Sequence, residues 1–244
     1  MRHIVHVIYA SVLSVIFLAA SLSSCKKEDI KQPVTGTVTD KEGNVYKTVK
    51  IGNQWWMAEN LKTVHYNDGT LIAQIEGDAA LWSKDTAGAY CSGAYGVLYN
   101  WYAIHTAQHQ VAPEGWHIPS DEDWKELEVF LGMSASDAER CNWRGTNQGD
   151  KLKATGTDNW IYFAEDPTVW ATNETGFTAL PGNCRLFNGG AGFPIGAGYT
   201  GFWWSSTEKG NGESYYRHLD YKKSGVFRYY GPKNYGFSVR CVKN

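Results

Sequence analysis

An almost unbroken apolar run opens this chain, and alternating runs follow it. Residues 4–20 are nearly all apolar, preceded by Arg2 and His3 and followed by Leu22-Ser23-Ser24-Cys25. A basic start, an apolar centre and small residues before a cysteine predict a secretory leader over residues 1–24. A charged stretch over residues 25–33 reads as a flexible tether. Beyond it, residues 35–39 and 45–51 are β-branched alternating runs separated by Asp40-Lys41-Glu42-Gly43-Asn44, which predicts a hairpin. Gly52-Asn53 then turns the chain into a third strand over residues 54–61.

Helical spacing appears twice. Leu98, Trp101, Tyr102 and Ile104 predict a first helix over residues 96–108. The second is better marked: Ser120 is an N-cap candidate, Asp123 completes a capping-box pair, and Trp124, Leu127 and Leu131 form one apolar face ending at Gly132. Capping and the helix dipole account for Asp121, Glu122 and Asp123 without an acidic site. Residues 133–201 are glycine-rich and aperiodic, a long loop region that a compact domain keeps for a reason. Strand-like runs close the chain at 201–205, at 214–221 turning through 222–225 into 226–230, and at 237–242. Trp116, Trp124, Leu127 and Phe237 are expected in one core, with the second helix packed across the sheet that holds residues 237–242.

Without residues 1–24 the chain keeps 220 residues, ample for one large domain over residues 34–244. Arg2 is the leader's one charged residue, so 22 basic side chains remain against 25 acidic. They are scattered, and without a basic stripe nucleic acid is excluded as a partner. The aromatic content is high, with 11 Trp, 15 Tyr and 9 Phe beside 26 Gly, and such a surplus points to a recognition surface.

Four cysteines remain beyond Cys25: Cys91, Cys141, Cys184 and Cys241. Four permit three pairings, and the expectation taken forward is Cys91 with Cys241 and Cys141 with Cys184. No Cys-x-x-Cys occurs, which argues against a zinc knuckle or a thioredoxin-type site. His105 and His109 stand four apart but lack a third ligand, so they read as surface histidines. Residues 145–151 lack the spacing, the Gly-Lys pair and the Ser or Thr of a phosphate loop. No cofactor is called for, although a structural calcium stays open.

Leu22 three places before Cys25 resembles the lipobox of bacterial lipoproteins. That resemblance implies a lipidated Cys25 as the mature N-terminus and a membrane partner through the lipid. Lys27-Glu28-Asp29 is similar to the signal that exports lipoproteins of Bacteroidetes-type bacteria through the outer membrane, which implies an outer-membrane, surface-exposed address. Asp85-Thr86-Ala87 resembles an O-glycosylation acceptor of the same bacteria.

Further segments resemble the Fibrobacter succinogenes major paralogous domain from about Gly36 to the end. They are Gly52-Asn53-Gln54-Trp55-Trp56-Met57-Ala58-Glu59-Asn60-Leu61, Gly96-Val97-Leu98-Tyr99-Asn100-Trp101, Gly115-Trp116-His117-Ile118-Pro119-Ser120, Gly176-Phe177-Thr178-Ala179-Leu180-Pro181-Gly182, Trp203-Trp204-Ser205-Ser206-Thr207-Glu208 and Gly236-Phe237-Ser238-Val239-Arg240-Cys241-Val242. The chain departs from that family at Ala112-Pro113, where a Cys-Pro is common. A more distant likeness to the formylglycine-generating-enzyme branch implies an α+β, C-type-lectin-like fold: two helices, a small twisted antiparallel sheet joining the chain ends, and long glycine-rich loops. Enzymes of that branch use two neighbouring cysteines near the C-terminus, and here Cys241 stands alone, so catalysis is not expected. The sugar-binding motifs of calcium-dependent lectins are absent as well.

The expectation is therefore a non-catalytic binding or adhesion module for a glycan or a partner protein. Its alternatives are a structural component of a surface assembly and, behind that, an oxidase. The candidate ligand face comprises Trp203, Trp204, Tyr216, Arg217, Asp220, Arg228, Tyr229 and Tyr230. Alternation puts Tyr215, Arg217 and Tyr221 on one side of their strand and Tyr216, His218 and Asp220 on the other. One of the two sets must pack inward, and which one is left open.

Overall fold

The computed structural model describes residues 32–156, 158–161, 171–188 and 197–244. The leader, Cys25 and most of the tether lie outside these residues. From the N-terminal side the elements begin with β1 (Thr35–Thr39), β2 (Val45–Ile51), β3 (Gln54–Met57), β4 (Ala73–Gln74), α1 (Ala79–Lys84), β5 (Ala89–Gly93) and β6 (Gly96–Tyr99). There follow α2 (Trp101–Ile104), β7 (Trp116–His117), α3 (Asp121–Phe130), α4 (Ala135–Ala138), β8 (Asn142–Arg144) and α5 (Gln148–Leu152). Last come β9 (Thr200–Gly210), β10 (Glu213–Asp220), β11 (Val226–Pro232) and β12 (Val242–Lys243).

The strands form three sheets, ordered β1-β2-β3-β12-β7, β8-β11-β10-β9 and β4-β5-β6. The expected C-type-lectin-like α+β fold with two helices is therefore wrong. Among the described residues the chain is mostly β, with short helices of which only α3 reaches 10 residues.

Local chemistry explains where the sequence led correctly. Asp40 accepts from the N–H groups of Glu42 and Asn44 at 3.0 and 2.9 Å, and Gly43 adopts φ +86°, which closes the β1–β2 hairpin in the expected place. At α3 the Ser120 Oγ accepts from the Asp123 N–H at 3.1 Å, and the Ser120 N–H donates back to Asp123 Oδ2 at 2.8 Å. The capping box is complete.

The first helix fails for an equally local reason. Residues 96–99 pair with β5 as β6, and Asn100 accepts from Ala103 N–H and from Ala89 N–H, at 3.0 and 2.9 Å. Of the apolar residues that looked helical, Leu98 lies in β6, and Trp101, Tyr102 and Ile104 form only the single turn of α2 that Asn100 caps. His105 and His109 consequently share no helix: His105 stacks on Trp101 at 4.2 Å, and His109 stacks on Tyr66 and meets Asp68 at 2.5 Å.

The supposed loop over 133–201 contains α4, β8 and α5, and residues 157, 162–170 and 189–196 of it lie outside the described set. The strand expected over 237–242 is also reduced, to Val242 and Lys243. Its remainder threads between sheets: Phe237 exchanges backbone bonds with Tyr99 at 2.9 and 3.0 Å, Val239 O accepts from Leu61, and Cys241 O accepts from Met57.

Two hydrophobic clusters lie on opposite sides of the same strands. On β3, Trp56 enters one and Met57 the other; on β9, Trp203 and Trp204 part in the same way. The expected single core is thereby divided, with Trp124 and Leu127 of α3 beside Trp56, Phe177 and Trp203, and with Phe237 and Trp116 in the cluster of Tyr99, Trp101 and Trp204. Helix α3 does cover the β3–β12 side, where Trp124 meets Trp56 at 4.7 Å.

Arg240, fully buried, joins the clusters through hydrogen bonds to an amide and to backbone carbonyls. It donates to Asn60 Oδ1 at 2.9 Å and to the carbonyls of Phe177 and Thr178, and its guanidinium lies 4.4 Å from the Phe177 ring. Burial pushes its pKa down to about 9, which still leaves it charged at neutral pH.

Candidate functional site

The candidate face lies on the four-stranded sheet, and its residues divide by the alternation of β10 and β11. Arg217, Leu219, Val226 and Arg228 point toward α3, whereas Tyr216, His218, Phe227 and Tyr229 point the other way.

On the α3 side the guanidinium groups are locked. Arg217 Nη1 meets Asp121 Oδ1 at 2.7 Å and its Nε meets Glu128 Oε1 at 2.7 Å. Arg228 Nη2 meets Asp121 Oδ2 at 2.6 Å, and Arg144 of β8 meets Glu128 Oε2 at 2.6 Å. Lys125 adds contacts with Glu122 at 2.5 Å and Glu139 at 2.7 Å. Burial alone would raise the Asp121 carboxyl, but hydrogen bonds and charge from Arg228 and Arg217 outweigh it and hold the pKa down to about 2. Burial lowers Arg144 to about 10 against the pull of Glu128.

This network joins one helix to three strands. It corrects two expectations, because Asp121 is a buried counter-ion and not merely a first-turn acid, while Arg217 and Arg228 are structural residues closed to a ligand.

Two further members of the expected face are closed to a ligand by burial. Trp203 and Trp204 are buried, and their indole N–H groups donate to Asn60 Oδ1 at 3.1 Å and Tyr99 O at 2.8 Å. Asp220 ends β10 and accepts from the Lys222 N–H at 2.8 Å, a turn-forming role. Tyr230 is half-buried and stacks on Tyr229 at 4.5 Å, with its edge toward Tyr215 at 6.0 Å, and Tyr215 in turn covers the Arg228 guanidinium at 4.5 Å. Of the expected residues, Tyr216 and Tyr229 belong to the aromatic side, and Tyr230 joins it through its stack on Tyr229.

That side is a row of half-buried rings. His218 stacks on Phe202 at 4.2 Å and 12°, and it lies 5.2 Å from Trp143 and 5.6 Å from Phe227. Tyr216 and Phe202 rest on Phe237 at 5.0 and 5.1 Å, Trp143 meets Phe227 at 5.2 Å, and Tyr229 extends the row beyond Phe227 at 5.8 Å. The row is anchored in the core by Trp204 and Phe237, and it opens toward Trp143 and Tyr229.

His218 is its polar member. Burial first, then the charge of Lys153, lowers its pKa to about 3, so the ring is neutral, and its Nε2 has no hydrogen-bond partner. Trp143 and Phe202 were missed in the sequence. Phe202 lay inside an expected strand, but Trp143 fell in the segment read as loop, where only the short alternation Asn142-Trp143-Arg144 betrays a strand.

Among the described residues the four cysteines are free thiols, which overturns the expected pairing. Cys184 and Cys241 share one cluster, Cys91 sits in a smaller one with Trp82 and Leu98, and Cys141 lies 3.7 Å from Arg228 Nη1. Burial raises Cys184 to about 12, and Cys241 and Cys91 also rise, chiefly through burial. Such thiols are poor nucleophiles and metal ligands. Among the described residues no cluster of three His, Cys, Asp or Glu side chains is placed to hold a metal ion, and no helix is long and apolar enough to cross a membrane.

Fold and site thus define a mostly β domain with one ion-locked and one aromatic sheet face. The family model of the Fibrobacter succinogenes major domain matches residues 49–243, and the chain belongs to that family. No curated protein and no solved structure matches it.

Proposed function

We propose that this protein is a lipid-anchored, outer-membrane binding module that presents the aromatic face of the β8-β11-β10-β9 sheet to a glycan and catalyses no reaction. The carrying observation is the contiguous row Trp143, Phe227, His218, Phe202 and Tyr216, continued by Tyr229. Flat rings along a sheet suit the apolar faces of successive sugar rings. A neutral imidazole in their midst can donate to or accept from a hydroxyl once it turns outward. Thiols whose ionisation burial suppresses support the non-catalytic reading.

A printed panel of host and microbial glycans, probed with the full chain in detergent, tests the binding. Loss of a glycan signal on Tyr229→Ala and Trp143→Ala, both still folded, supports the face, and retention in both rejects it. The anchor rests on Leu22-Ser23-Ser24-Cys25 and the surface address on Lys27-Glu28-Asp29. Cys25→Ala should release the chain from membranes, and protease added to intact cells should remove the native protein. A Cys25→Ala chain that stays in membranes, or a native chain digested only after the outer membrane is opened, contradicts this address.

A further inference from the structure

β1 stands at the end of its sheet, and its register shows which backbone groups have no partner among the described residues. The Lys50 N–H donates to Val34 O at 2.8 Å, which makes Thr35↔Val49 a pair that exchanges no hydrogen bonds. Gly36↔Thr48 and Val38↔Tyr46 are then the bonded pairs, and the N–H and C=O groups of Thr35, Thr37 and Thr39 all point away from β2. These three residues are exposed. Natural edges are usually guarded by lysine, proline or a bulge, and β1, with the sequence Thr-Gly-Thr-Val-Thr and an unbroken register, has none of these within it.

We propose that the outer edge of β1 pairs antiparallel with β1 of a second copy of this chain, joining the two five-stranded sheets across a two-fold axis at Thr37. The register is self-complementary. Thr37 faces Thr37 of the second copy and Thr35 faces its Thr39, so every outward N–H and C=O finds a partner. Threonine pairs then line one face. On the other face Gly36 lies opposite Val38, where the closer spacing of a non-bonded pair suits a glycine against a branched side chain. Residues 33–39 carry no charge, so two identical edges meet without repulsion. Only about ten residues separate β1 from Cys25, so an anchor there would hold the edges of neighbouring copies at similar height. The pairing itself does not depend on the lipid.

Variants of the full chain with one added cysteine, in detergent micelles, read this register. Opposed Cα atoms of a bonded pair lie about 5.5 Å apart, within disulfide range. In the pairing at Thr37, two copies of residue 35 lie about 14 Å apart. On mild oxidation Thr37→Cys should therefore form dimers at least about tenfold faster than Thr35→Cys or Thr39→Cys alone. A mixture of Thr35→Cys and Thr39→Cys chains should cross-link to each other. Thr37→Pro removes only an outward N–H, so it should stay folded by circular dichroism yet run as a monomer where the native chain runs as a dimer. The same series on the Cys25→Ala chain separates edge pairing from co-anchoring. Equal cross-linking at all three positions, none above the native-thiol background, or a native chain that runs as a monomer overturns the proposal. So does protection of this edge by a peptide of another protein that reaches into the neighbouring hollow of about 600 Å³ beside Lys47 and Glu59.

Discussion

The two faces of the β8-β11-β10-β9 sheet carry residues from the same strands, yet their side chains are finished in opposite ways. Toward α3, Arg144, Arg217 and Arg228 spend their charge on Asp121 and Glu128 at 2.6 to 2.7 Å. Away from α3, rings touch rings, and His218 Nε2 is left without a partner. Ion pairs fix the sheet to the helix, with Arg144 Nε alone of the three guanidinium groups' Nε atoms unpartnered, and a ring surface remains on the opposite side. Strand alternation alone separates the two roles, one residue apart.

The sharpest break of this comparison is Arg217→Ala, which leaves two buried carboxylates short of a partner. A loss of about 3 to 5 kcal/mol is expected in denaturant unfolding. A loss below 1 kcal/mol would mean that the network does not lock the helix. On the aromatic face, Trp143→Ala and Tyr229→Ala should instead cost about 2 kcal/mol of ligand binding, read by titration, while the unfolding midpoint barely moves.

Acid separates the faces as well. Asp121, held near 2 against an ordinary 3.8, contributes stability that is complete above about pH 4 and is lost as pH falls through 2. This amounts to about 2 kcal/mol at neutral pH, and Asp121→Asn should remove it along with the slope in that window. His218, held near 3 against 6.5, also gives stability present above its unfolded value and lost as pH falls, but its loss begins near pH 6. His105 shifts the same way and His117 the opposite way, so the readout is the difference between the native chain and His218→Gln in unfolding midpoints from pH 7 to 5. An unchanged slope in that variant contradicts a buried neutral ring. The smallest effect is Ser120→Ala, about 1 kcal/mol from the lost cap of α3, with ligand binding unaffected.

What could be read in advance follows the range of the forces involved. The β1–β2 hairpin and the α3 cap are set by residues within a few positions, Asp40 to Asn44 and Ser120 to Asp123, and both were legible. Residues 96–108 were misread because apolar spacing does not reveal that β5 lies alongside to pair with 96–99. The candidate face was half legible: alternation identified two sets on β10, but which of them packs on α3 depended on Asp121 and Glu128, about ninety residues upstream. Cysteine spacing told little, since the thiols pack in separate clusters. The family resemblance named the domain, while the lectin-like fold implied by the more distant likeness is not the one observed.

Glycan-panel binding by the native full chain, Tyr229→Ala, Trp143→Ala and Ser120→Ala, each checked for its unfolding midpoint, tests the division of the faces most directly. The account predicts a bound glycan whose signal falls at least about tenfold in the two aromatic-face variants and persists in Ser120→Ala. Binding that survives in both folded aromatic-face variants, or that fails together with Ser120→Ala, contradicts it.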